Sequence, residues 1–179
     1  MKTIVEYQGK RYVWAGVSWY GEKDFLNPPI SIVHKLNALI EDSLNMDDES
    51  ITDPRELCRL ASELRDSGGQ LKRALRLAHK ANEMMSNDAG VASVLSSVLR
   101  AANRPSEAIA VTEKFAHEGC CSLLTSRAAA LCDLGQWSEA LKRVKRVFAI
   151  TKGCSDVEAL NVWCRIKANA PQLLVQSPD

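Results

Sequence analysis

His117, Cys120 and Cys121, in the stretch HEGCC, form the one tight group of soft metal ligands and nucleophiles in the sequence. Two thiolates and an imidazole could take up zinc, but a tetrahedral site needs a fourth donor from elsewhere in the chain. A Cys–His nucleophile would need an orienting group and oxyanion donors, and no residue pattern supplies them. The six cysteines, Cys58, Cys132, Cys154 and Cys164 besides Cys120 and Cys121, are widely spread with no C-x-x-C pair. Four of the six fall in apolar helical patterns as small hydrophobes, which fits a reducing compartment. His34 sits alone on a helical pattern and reads as an ordinary polar-face or packed residue. No P-loop, dinucleotide fingerprint, G-x-S-x-G elbow or H-E-x-x-H occurs. The expectation is a chain with no catalytic residues, no metal and no cofactor.

The elements that would hold these side chains are mostly helical. Ala74, Ala108 and Ala140 lie 34 and 32 residues apart, each preceded by one apolar-periodic run and followed by another. Such spacing is the mark of a helical hairpin copied along the chain. In the third copy, Leu124, Ala128 and Leu131 share a helix face at i, i+4, i+7. Gly135 stops that helix, because glycine enters the left-handed region without steric penalty. A second helix then turns Ala140, Leu141, Val144, Val147 and Phe148 inward, with Trp137 at the bend. The first copy opens on Asp53-Pro54-Arg55-Glu56, an N-cap, a proline at the first helical position and a capping-box glutamate. Its apolar stripe is Leu57, Leu60, Ala61 and Leu64, and Gly69 is expected at its bend. In the middle copy Asn103 and Pro105 stand at the bend.

This grammar resembles the tetratricopeptide repeat family, whose ~34-residue unit carries glycine, an aromatic residue and alanine around its turn. The resemblance covers about three degenerate repeats, 55–88, 89–120 and 121–154. It is closest in the third, where Leu134, Gly135, Trp137, Glu139 and Ala140 follow the family's order. It implies an all-α fold: a short right-handed helical-hairpin solenoid. A leading helix over 29–45, with Ile32, Val33, Leu36, Leu39, Ile40 and Leu44 inward, would precede the repeats. A capping helix over 155–170, with Ala159, Leu160, Trp163, Ile166 and Ala170 at helical spacing, would cover the last apolar face. A tail, 171–179, would follow.

Residues 1–27 differ. They are rich in β-branched and aromatic side chains, and Gly9-Lys10 gives a two-residue turn signal. That turn would set Tyr7 opposite Tyr12 and Val5 opposite Trp14, with a third short strand through Val17 and Trp19. A hairpin is not stable alone, so this appendage must pack on helices or pair its edge, including with a second copy of the chain as a homodimer.

What the resemblance implies for function is a concave groove, lined by the first helices, that takes a peptide or helix of a protein partner. By position the groove residues are Glu56, Arg59, Glu63, Asp66, Ser93, Ser97, Arg100, Thr125, Ala129 and Cys132. Arg59 offers one cation of the family's carboxylate clamp, but Glu63, Ser93 and Ser97 stand where its other charges and amides belong, so a chaperone tail is not the expected partner. The resulting reading is a non-enzymatic interaction module, a regulatory or scaffold subunit. A nucleic-acid accessory role is its alternative, because 121–154 hold 6 basic and 2 acidic residues, net +4. Lys142, Arg143, Lys145, Arg146 and Lys152 would serve there, with Lys72, Arg73, Arg76 and Lys80 alongside. Residues 1–54, with 5 basic and 9 acidic residues, carry net −4, and the whole chain only +1. No apolar run approaches the ~20 residues that span a bilayer, and charges occupy the place of a signal peptide's apolar segment. The expected setting is cytoplasmic, with no membrane contact.

Overall fold

The computed structural model describes residues 3–41, 48–67, 70–115, 119–151 and 157–175. The architecture is all-α helical hairpins with a small N-terminal sheet, and it divides into two compact units, 1–85 and 86–179.

In the first unit, β1 (Thr3–Tyr7), β2 (Lys10–Trp14) and β3 (Trp19–Gly21) form an antiparallel sheet in that order. The β1–β2 register is Val5↔Tyr12 and Tyr7↔Lys10, two residues away from the pairing expected of a Gly9-Lys10 turn. Gln8 and Gly9 form the turn instead, with φ of 52° and 72°. Two positive φ values are what a type I′ turn requires, and glycine belongs at its second position. Because the slip is an even number, Val5, Tyr7, Tyr12 and Trp14 still share one face. At the next turn Gly16 has φ 92°, and the Ala15 N–H donates to the Ser18 carbonyl at 2.9 Å.

The aromatic face packs on α1 (Ile30–Leu39), where Leu36 is fully buried against Tyr12, Trp14 and Trp19. Trp19 donates its Nε1–H to Asn37 Oδ1 at 2.7 Å, so the indole keeps a partner inside the core. Sheet and leading helix therefore share one core. Leu39, expected inward, is 60% exposed, and Leu44 lies outside the described residues.

Downstream, α2 (Pro54–Ser67) starts where Asp53 accepts from the Arg55 N–H at 2.9 Å. Its buried stripe is Leu57, Leu60, Ala61 and Leu64, facing α3 (Leu71–Met84) through Ala74, Leu77, Ala78 and Ala81. Arg73 on α3 grips Asp48 with two nitrogens, at 2.9 Å and 2.7 Å. Arg76 bonds the same carboxylate, and Lys80 donates to the Asp48 carbonyl at 2.9 Å. Asp48 is almost fully buried, so these cations compensate its desolvation.

The second unit stacks α4 (Ala89–Ala101), α5 (Pro105–Glu113), α6 (Cys121–Asp133), α7 (Trp137–Thr151), α8 (Val157–Asn169) and the short α9 (Gln172–Val175). Its two described bends are the same device. Asn103 (φ 59°) and Gly135 (φ 72°) each follow a helix in left-handed conformation. Asn103 and Arg104 donate to the carbonyls of Arg100 and Leu99, both at 2.9 Å. Gly135 and Gln136 donate to those of Cys132 and Leu131, at 3.1 Å and 2.9 Å. This is the Schellman pattern, and at the middle bend asparagine performs it in place of glycine. The bend expected at Gly69 lies outside the described residues.

After each bend comes the small residue. Ala74, Ala108 and Ala140 are fully buried, and each makes the first backbone bond of its helix, to Gln70, Arg104 and Gln136. Within the second unit α6 is central, packing on α4, α5, α7 and α8. On α8 the buried residues are Ala159, Val162 and Ile166, whereas Leu160, expected inward, is 42% exposed. The segment read as a tail contributes Leu173 and Leu174 to the same core.

Candidate partner-binding surface

Each unit presents the residues of its first helices in its own way. On α2, Glu56, Arg59 and Asp66 are exposed and Glu63 half-exposed. Arg59 is spent within its own helix, bonding Glu63 at 2.5 Å, while Asp66 holds Arg65 at 2.8 Å. This helix offers an acidic face whose groove-position cation is already neutralised.

In the second unit, contacts between successive first helices recur at nearly one repeat. Ser93 Oγ and Ser126 Oγ are 3.0 Å apart, 33 residues along the chain. Arg100 Nε donates to Asp133 Oδ2 at 2.6 Å, again across 33 residues. Arg165 Nη2 donates to Asp133 Oδ1 at 2.7 Å, across 32 residues. One carboxylate at the end of α6 thus sits between an arginine of α4 and an arginine of α8. All three side chains keep part of their surface in water, 24%, 25% and 38% for Arg100, Asp133 and Arg165. The line carries one net positive charge and donors on both sides of a single anion.

Thr125, Ala129 and Cys132 stand elsewhere than the groove reading places them. They are 1%, 6% and 3% exposed, and Ala129 and Cys132 belong to the core that α8 closes with Ala159, Val162 and Ile166. Helix α8 follows α6 at one repeat's distance and takes up that face, so Ala129 and Cys132 are packing residues here. Burial pushes the Cys132 thiol up, against the pull of Arg165. Ser93 is likewise buried and bonded, while Ser97 is half-buried and donates back to the Val94 carbonyl.

No protein-family model and no curated protein matches the chain. Among solved structures, one described as YrrB, a TPR protein with an unusual peptide-binding site, aligns over 82% of this chain and 83% of that one. The identity is 14% and the TM-score 0.41.

Among the described residues, no group of three or more His, Cys, Asp or Glu is placed to hold a metal ion, and His117 lies outside them. Cys120 contacts the Ser122 hydroxyl at 3.2 Å. The cations proposed for nucleic acid are partly committed: Arg73, Arg76 and Lys80 all serve the Asp48 segment, and Lys142 is bonded to Glu139 at 2.7 Å. Lys152 lies outside the described residues. No described helix is long and apolar enough to cross a membrane.

Sequence reasoning missed Asp133 and Arg165. Each lies one helical step from a position that was weighed, and nothing local says that two residues 32 apart will meet. A faint signal exists: Asp133 puts an anion in the last turn of a helix, against the macrodipole, where a cation from another element is favourable.

Proposed function

We propose that this chain is a non-enzymatic interaction module whose second unit binds an acidic segment of a partner protein across α4, α6 and α8. The observation that carries this reading is the sharing of Asp133 between Arg100 and Arg165. Two guanidinium groups over one carboxylate retain unused donors, and surface ion pairs of this kind are cheap to rearrange. An incoming Asp or Glu can take those donors as charge-assisted bonds without breaking the array. Ser97, one turn before Arg100 on α4, is a small side chain that lets a partner backbone approach. The role that follows is adaptor, scaffold or regulatory subunit.

The test is selection of binding peptides from a displayed library, followed by titration of the best binders against wild type and the double variant Arg100→Glu with Arg165→Glu. Acidic peptides are expected, with binding lost in the variant and helical circular dichroism retained. Selected peptides without acidic character, or binding indifferent to both reversals, would remove this face from the site.

A further inference from the structure

A second feature lies in the same unit, where α5, α6 and α7 surround a notch of about 330 Å³. Arg127 of α6 forms part of its lining, and only 12% of that side chain is exposed. Its Nε and Nη1 are closed off from water and, among the described residues, have no hydrogen-bond acceptor. The third nitrogen, Nη2, has a single long contact of 3.5 Å to Glu113, whose own side chain is 70% exposed. A guanidinium withdrawn from water with so little compensation is strongly unfavourable, and it is the kind of group that draws an anion.

The rest of the notch says which anion. Arg143 adds a second cation on the wall, and Ile109, Leu131 and Leu134 supply apolar surface beside it. Leu134 is 38% exposed. Glu139 also lines the notch but is held by Lys142 at 2.7 Å. Its carboxyl lies below the usual range, first through that bond and also through the charges of Arg143 and Arg127. The lining thus carries two guanidinium groups against one carboxylate.

We infer that this notch is a carboxylate-binding site for a protein segment presenting Glu or Asp next to a leucine-like side chain. The carboxylate bonds Arg127 through Nη2, displacing Glu113, with Arg143 closing from the wall. The apolar neighbour covers Leu134 and Ile109. This site uses none of the residues of the Arg100–Asp133–Arg165 line, so either can fail without the other.

Acetyl-Leu-Glu-Leu-amide, its Leu-Gln-Leu counterpart and acetate serve as probes, with ¹⁵N-edited NMR of arginine Nε–Hε signals in the full chain as readout. The glutamate peptide is expected to move the Arg127 signal saturably at millimolar concentration. The glutamine peptide and acetate are expected to bind at least about tenfold more weakly. Arg143→Gln weakens the glutamate peptide, and Glu113→Gln tightens it by removing the internal competitor. Arg127→Met abolishes binding, checked for retained helicity. Because Arg127 is buried, the Arg143 and Glu113 variants keep the test decisive if that one does not fold. An unmoved Arg127 signal, or equal response to the glutamine peptide, would overturn the site. So would affinity unchanged in both Arg143→Gln and Glu113→Gln. Acetate binding as tightly as the peptide would overturn its assignment to a protein segment.

Discussion

Ser93 Oγ and Ser126 Oγ meet at 3.0 Å between α4 and α6, with both residues buried. Each hydroxyl is the other's polar partner across the α4–α6 seam. Ser126→Ala should therefore cost about 1–2 kcal/mol in urea unfolding, because it leaves the Ser93 hydroxyl buried without that partner. The double alanine variant should cost less than the sum of the two single changes. Strict additivity would show that the seam does not depend on this bond.

At the bends, conformation and not space sets the cost. A Cβ on Gly135 would find its nearest neighbour, Trp137 Nε1, at 3.9 Å, which is ordinary contact. Gly135→Ala should still lose about 1 kcal/mol, because alanine resists φ near 72°. Asn103→Ala should lose a similar amount, whereas Asn103→Gly should be neutral or slightly stabilising. Equal stability of all three variants would mean that the bends relax out of the left-handed region.

Among the described residues, Asp48 is the acidic group that pairs with both Arg73 and Arg76. Asp48→Asn should destabilise the first unit by about 3 kcal/mol or more, since it strands a buried guanidinium that also lies 5.8 Å from the Trp14 ring centre. A loss below about 1 kcal/mol would show that water replaces the carboxylate.

Trp137 begins α7 half-buried, packed against the core of α6, α7 and α8. Trp137→Ala should cost about 2 kcal/mol, short of the 3–5 typical of a fully enclosed ring. A change within experimental error would free the indole for a contact with a partner.

The alanine period, the stripes of α2 and α6 and the stop at Gly135 could be read from residue type and spacing alone. Each depends on one helix or one turn, where side-chain volume and backbone freedom act locally. The hairpin register could not be fixed that way. Gly9 can take the first or the second turn position, and only the folded sheet, with positive φ at both Gln8 and Gly9 in a type I′ turn, decides between them. The inward assignments of Leu39 and Leu160 failed for a related reason: helical periodicity marks an apolar face without saying whether another element covers it.

The candidate surfaces divide in the same manner. Arg100 could be chosen from the repeat, but its partner Asp133 and the rival Arg165 are brought to it by α4, α6 and α8 packing side by side. Thr125, Ala129 and Cys132 match a groove pattern by position, yet all three are buried, Ala129 and Cys132 in the core that α8 closes. Arg127 looks from its neighbours like the one cation on a helix of mostly small and apolar residues, and its enclosure exists only once α5 and α7 flank α6. Local sequence determined that the chain makes helical hairpins and where they bend, because propensity, capping and glycine freedom act within a few residues. Tertiary packing decided which polar side chains meet, which are sealed and which remain open, because burial and ion pairing depend on neighbours a full repeat away.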